Sequence, residues 1–263
     1  MNKNEHAMVD ILKKGKEEYG YIAAKAEFEA EGTRVDELLR LMDIANAADV
    51  KLTVKIGGCE AIRDLLESKQ FGVDFIVAPM IESPYALGKY SQARNKVYSA
   101  DEQLDTDFLF NLETNSTYLL REEILSAAQH LKLNGVVFGR SDYAGSLGLD
   151  AAQIENDIVT NHIIDVAELC VKHSLDLVVG GAVNFNSVEN LKKIHAIRLT
   201  RFETRKIVFN ASSINQSNIE EGLFNAVQFE LKWLLNKKEY YSKISTEDDK
   251  RFETLKSRWG LSN

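Results

Sequence analysis

Short apolar runs alternate along the chain with longer stretches whose apolar positions recur every three or four residues. Runs of the first kind fall at 21–29 (YIAAKAEFE), 51–56 (KLTVKI), 75–79 (FIVAP), 108–113 (FLFNLE), 135–138 (GVVF) and 175–180 (LDLVVG), and two more lie within 196–210. Brief runs of this length, several bounded by Gly or Pro, predict buried strands. Between them the stripe Val35, Leu38, Leu39, Leu41 and Met42 predicts a helix. Helical spacing returns at 60–67, from 85 onward, at 120–131, at 154–173 and at 188–193. An amphipathic segment at 6–18 precedes the first strand, and a long helix over about 219–235 follows the last. The tetrad T-R-V-D at 33–36 has the spacing of a capping box, with Asp in place of Glu.

About eight strands with helix-sized connections, in 263 residues, predict a (β/α)8 TIM barrel rather than an open doubly wound sheet. The join between 196–201 and 206–210 is too short for a crossover helix, so these segments are either two strands or one bent strand. No repeat, low-complexity linker or charged tail divides the sequence, which predicts one domain over 1–263. The C-terminal helix carries Leu223, Phe224, Val227, Phe229, Leu231, Trp233, Leu234 and Leu235. That is too apolar for a lone surface helix. It is expected to pack on the barrel or on a neighbouring subunit, and a homo-oligomer is expected.

Composition narrows the function classes. A hydrophobic fraction of 44% excludes a disordered chain. With 32 basic against 40 acidic residues the net charge is −8, which argues against a general nucleic-acid binder. No apolar run reaches the roughly 18 residues needed to span a bilayer, and no charged-then-apolar leader opens the sequence. Cys59 and Cys170 make neither a disulfide framework nor a zinc motif. A cytoplasmic protein acting on a small molecule is the expectation, with no nucleic-acid or membrane partner.

In a barrel of this kind the chemistry sits at the C-terminal strand ends. In FLFNLET, alternation puts Asn111 and Glu113 on one face; in GVVFGRSD, Phe138, Arg140 and Asp142 share a parity. Glu113 and Asp142 are 29 residues apart, about one strand–helix–strand unit. Carboxylates on neighbouring strand tips suit a hard divalent cation, Mg²⁺ or Mn²⁺, with water and substrate oxygens completing the shell.

The runs VDFIVAPMIES (73–83), NLET (111–114), EEI (122–124) and NGVVFGRSDYAGSLG (134–148) resemble the HpcH/HpaI aldolase and citrate lyase family, within the phosphoenolpyruvate/pyruvate barrels. The order and spacing of the four pieces carry the resemblance. It implies that Glu113 and Asp142 are metal ligands and that the metal chelates a pyruvate-like 2-oxo acid. The enolate formed on carbon–carbon cleavage would be stabilised there. Asn111 falls where family members often have Gln, a position for a hydrogen bond to a metal ligand or to substrate.

Two departures from the family pattern follow. Where its aldolases carry an Arg, VKIGG offers Lys55, a point charge without the planar fork, beside Gly57 and its room for close approach. Where they carry a His after an acidic pair, this chain reads Glu27-Phe28-Glu29-Ala30. Acid–base work would then fall to Glu27, Glu29 or Glu82, with a pKa raised by burial. Arg201 and Arg205, in RLTRFETRK, join Arg140 as candidate substrate-binding groups. The resemblance thus implies a metal-dependent lyase of aldolase type. Its rivals are a catalytically reduced barrel that binds a ligand or scaffolds an assembly, and other enolate chemistry such as thioester hydrolysis.

Overall fold

The computed structural model describes residues 1–260. Eight strands form one closed barrel in sequence order: β1 (Tyr21–Glu27), β2 (Lys51–Lys55), β3 (Phe75–Ala78), β4 (Asp107–Leu112), β5 (Gly135–Gly139), β6 (Asp176–Gly180), β7 (Arg201–Glu203) and β8 (Ile207–Asn210). The helices are α1 (Lys3–Glu18), α2 (Val35–Ala47), α3 (Ile62–Gln70), α4 (Pro84–Val97), α5 (Asn115–Leu119), α6 (Arg121–His130), α7 (Arg140–Ser146), α8 (Asp157–His173), α9 (Val188–His195) and α10 (Ile219–Trp259). The helices pack over the outer faces of strands whose other face fills the barrel, so strands such as β3 are buried on both sides. That is why the strands read as apolar runs rather than as alternation.

Local signals set several helix starts. Ser83 caps α4 ahead of Pro84 in its first turn, and Thr114 caps α5. The cap of α2 lies one residue later than the T-R-V-D tetrad suggests: Arg34 takes the cap position, and Glu37 accepts its backbone N–H at 3.2 Å.

The barrel prediction holds, with one change in strand direction. Strands β1 to β7 are parallel, whereas β8 is antiparallel to both β7 and β1. The short join is therefore a hairpin, not one bent strand. Thr204 donates its N–H to Ile207 O at 2.9 Å, and a connection this brief permits only antiparallel pairing. The inversion returns the chain to the N-terminal end of the barrel, where Asn210 pairs with Arg201. From there α10 climbs the outside: Tyr21 donates its hydroxyl to Gly222 O at 2.6 Å near the base, and Lys206 lies over the Trp233 ring near the top. Eleven residues of helix rise about 16 Å, close to the length of a five-residue strand. The climb thus brings the middle of α10 to the barrel mouth. Among the described residues no helix is long and apolar enough to cross a membrane.

Inside the barrel the side chains fall into layers. Ala23, Phe75, Val77, Leu109, Val137, Val178 and Val208 form an apolar plug. By strand alternation Lys25, Lys55, Asn111, Gly139, Gly180 and Glu203 make a polar layer above it, toward the strand C-termini.

Candidate active site

The polar layer opens into a cavity of about 870 Å³ at the C-terminal mouth. Lys25, Glu27, Lys55, Asn111, Glu113 and Asp142 line it, with Glu203, Arg205 and Lys206 from the β7–β8 hairpin. Val227, Glu230, Trp233, Leu234 and Lys237 of α10 form one wall.

Glu113 is buried just past the end of β4 and is held from three sides. Oε1 accepts the Met80 N–H at 2.8 Å, while Oε2 accepts the Asn111 amide at 2.6 Å and lies 3.5 Å from Lys55 Nζ. The remaining amide atom, Asn111 Oδ1, is buried with no partner among the described residues. Buried polar atoms are normally satisfied, so an orphan on a cavity wall marks a place for a ligand or water. Asp142 sits in the first turn of α7, exposed to the same cavity. Glu113 and Asp142 are hard oxygen donors, and Met80 and Asn111 orient the first as outer groups orient a metal ligand. The donor set therefore fits a divalent cation. No cluster of three or more His, Cys, Asp or Glu side chains suited to a metal occurs among the described residues.

Missing Cβ atoms make this arrangement possible. A Cβ on Gly139 would lie 2.9 Å from both Cβ and Oε2 of Glu113, and one on Gly180 would lie 2.8 Å from Glu203 Oε1. Gly139 and Gly180 are register partners on β5 and β6. Each gives room to a carboxylate leaning in from the next strand out. Gly139→Ala is expected to displace Glu113 and lower kcat/KM by about 10–100-fold, as for loss of a group supporting a metal ligand. Steady-state kinetics beside a thermal melt check this; full activity would show that the cradle is not needed.

A second ionic group faces the first. The Lys25 ammonium is paired with Glu203 and lies 3.3 Å from Glu27. Burial alone would discharge Lys25, but Glu203 and Glu27 hold its pKa above the usual lysine value. Burial likewise pushes the Glu27 carboxyl up, yet Lys25, Lys55 and Arg205 overcome it and hold the group below its ordinary value. The expected raised pKa is therefore corrected for Glu27. Glu31 is gripped by Lys206 and, at 3.1 Å, by Arg205. Burial pulls Lys206 below its usual value despite that partner.

The structure thus gathers Lys55, Glu27, Asn111, Arg205, Glu113 and Asp142 from the sequence candidates around one cavity. Five others are elsewhere. Arg140 turns away, donating to Gly181 O at 2.8 Å and Ser187 Oγ at 3.0 Å and pairing with Glu155 at 2.9 Å. It ties the ends of β5 and β6 together. Arg201 begins β7, below the apolar plug, and pairs with Asp176 at 2.9 Å and Asp107 at 3.4 Å at the opposite mouth. Its place among basic residues near the last strands made it a candidate but could not say at which end of the barrel it lies. Glu29 is exposed and lies over Gly57 instead of in the cavity. Gly57 donates its N–H to Asp64 at 2.6 Å and does not line the cavity. Glu82 is exposed in the loop before α4.

Sequence reasoning missed Glu203, Glu31, Glu230 and the α10 wall. For Glu203 a signal existed, because it shares strand parity with Arg201 at the inner face. Glu230 had none, since the path of α10 follows from the inverted β8. None of the five histidines lines the cavity. His162, for instance, meets the Tyr143 hydroxyl at 2.6 Å, and His173 meets Gln129 at 2.9 Å. Cys59 and Cys170 are free thiols.

Ionisable groups gathered at the C-terminal mouth of a closed strand barrel stand where enzymes of this fold carry their chemistry. The chain belongs to the HpcH/HpaI aldolase/citrate lyase family, whose model matches residues 22–190. Among solved structures, a family protein from Burkholderia cenocepacia is similar over 92% of this chain and 90% of its own, at 12% identity and a TM-score of 0.61. The HpcH/HpaI aldolase from Desulfitobacterium hafniense is similar over 74% and 82%, at 14% identity and a TM-score of 0.59. A citrate synthase variant is similar over 75% and 81%, at 16% identity and a TM-score of 0.56. These likenesses concern the fold. No curated protein matches the sequence.

Proposed function

We propose that this protein is a metal-dependent carbon–carbon lyase of aldolase type, acting on a 2-oxo acid or a related acyl anion. The observation that carries the reading is the meeting of Glu113 and Asp142 in one cavity, with Glu113 oriented by Met80 and Asn111. These two carboxylates would hold Mg²⁺ or Mn²⁺. Such an ion, when bound, supplies positive charge to the oxygens of a developing enolate. The chain's own groups do the rest. Lys55 offers an ammonium to a substrate carboxylate, and Asn111 offers hydrogen bonds beside it. Arg205 stands at the mouth, exposed enough to meet a second anionic group. Val137 and the glycines of β5 and β6 leave a small floor suited to a three-carbon fragment. A homo-oligomer belongs to the same reading, supported by Phe224, Leu231 and Leu235 exposed on α10, and so does a cytoplasmic setting, in keeping with the two free thiols.

The test is pyruvate release from a panel of 4-hydroxy-2-oxo acids and citryl-type thioesters. Release is expected to fall on chelation and to return with Mg²⁺ or Mn²⁺. No release from any of the panel, with metal present, would overturn the reading.

A further inference from the structure

Six carboxylates line the cavity: Glu27, Glu31, Glu113, Asp142, Glu203 and Glu230. Four are engaged by cations, Glu27 and Glu203 by Lys25, Glu31 by Lys206 and Arg205, and Glu113 by Lys55. Asp142 and Glu230 make no hydrogen bond or ion pair among the described residues. Asp142 belongs with Glu113. Glu230 is left over, in a cavity that no histidine lines.

Its placement is that of an inward group. Val227, Glu230, Trp233, Leu234 and Lys237 follow helical spacing, so one face of α10 is turned to the cavity with Glu230 in its middle. Glu230 is half-buried there, with Val227 and Leu234 on either side along the helix. The charged groups it feels are Lys206 and Arg205 of the hairpin and Glu31 of the loop after β1, with Lys237 two turns along its own helix. Burial pushes the Glu230 carboxyl above its ordinary value, against the pull of Lys206 and Arg205.

We propose that Glu230 is the general base that removes the hydroxyl proton from the leaving half of the substrate. This rests on the lyase reading and adds to it the acid–base residue. In a 4-hydroxy-2-oxo acid, Glu230 accepts the proton of the C4 hydroxyl, and the O–H electron pair becomes the new C4=O bond. The C3–C4 bond breaks, and its electrons pass into the enolate over C2 and C3. The proton then returns to C3, leaving an aldehyde and a 2-oxo acid with no net change in protons or electrons. A carboxylate clamped by ammonium groups is a weak base, because those charges favour its ionised form. An unclamped carboxyl with an elevated pKa is matched to transfer nearer neutrality.

The experiment compares wild type and Glu230→Gln in two reactions, cleavage of a 4-hydroxy-2-oxo acid and decarboxylation of oxaloacetate. The second reaches the same kind of enolate by loss of CO2, with no hydroxyl to deprotonate. Cleavage is expected to fall at least about 100-fold and decarboxylation less than about fivefold. Wild-type kcat/KM for cleavage should fall as pH drops, since the base must be ionised, with the limb above the ordinary carboxylate range. Glu230→Gln should flatten that limb, and Glu230→Asp should restore part of it. Equal loss in both reactions, or an unchanged acid limb, overturns the assignment of Glu230. A wild type inactive in both reactions overturns the lyase reading, and the assignment with it.

Discussion

Glu113→Ala is expected to lower kcat/KM for carbon–carbon cleavage by about 1,000-fold or more, on the order of 4 kcal/mol of transition-state stabilisation. The reasoning is local. Glu113 is the best-held acidic group at the mouth, fixed by the Met80 N–H at 2.8 Å and the Asn111 amide at 2.6 Å, with Gly139 cleared beneath it. Its removal would delete half of the proposed oxygen donor set and leave Lys55 without its 3.5 Å partner. Glu113→Gln keeps the shape and loses the charge, so it should be nearly as inactive while melting close to wild type. Kinetics over a range of added Mg²⁺, together with circular dichroism, separate lost chemistry from lost fold. Activity within tenfold of wild type in both variants would sink the assignment.

The second large effect is on stability. Glu203→Ala is expected to cost about 3–5 kcal/mol, because it strips a buried ammonium of its closest partner. Lys25 and Glu203 are both almost fully buried, and Glu27 at 3.3 Å is then the only carboxylate among the described residues paired with Lys25. For a chain of this size that cost corresponds to a fall in Tm of about 6–20 °C. Replacing both partners, as Lys25→Met with Glu203→Leu, removes the stranded ammonium but leaves Glu27 to Lys55 and Arg205, and should recover part of the loss. Urea unfolding of the two single variants and the double variant measures the coupling. A single-variant loss below about 1 kcal/mol would mean that water reaches the pair and screens it.

How much of this was legible beforehand varies by element. The strands of the parallel part read directly as apolar runs, because burial on both faces leaves nothing else to place there. Glu113 could be placed at a strand end from parity, whereas Asp142 has the outward parity of Phe138 and reaches the cavity because the chain turns into α7 after Gly139. Arg140 shares its parity with Phe138, which packs outside the barrel, whereas Val137 and Gly139 face inward; it ties two strand ends together through Gly181, Ser187 and Glu155. Parity cannot tell which way a residue at a strand end turns. Arg201 failed for a related reason: a strand has two ends, and the one bearing Arg201 meets Asp107 and Asp176 at the base. Glu29 and Glu82 lie in connections, where backbone path outweighs alternation.

The sequence by itself determined the barrel class and put Glu113 at a strand end, because hydrophobic period and strand-end position are local properties. Only the tertiary structure decided which cavity carboxylates are clamped and which, among the described residues, are not, since ion pairs such as Lys25 with Glu203 span most of the chain. It also decided the hairpin that inverts β8, and through it the climb of α10 that brings Glu230 to the cavity. Those outcomes depend on where distant segments pack, and no local pattern records that.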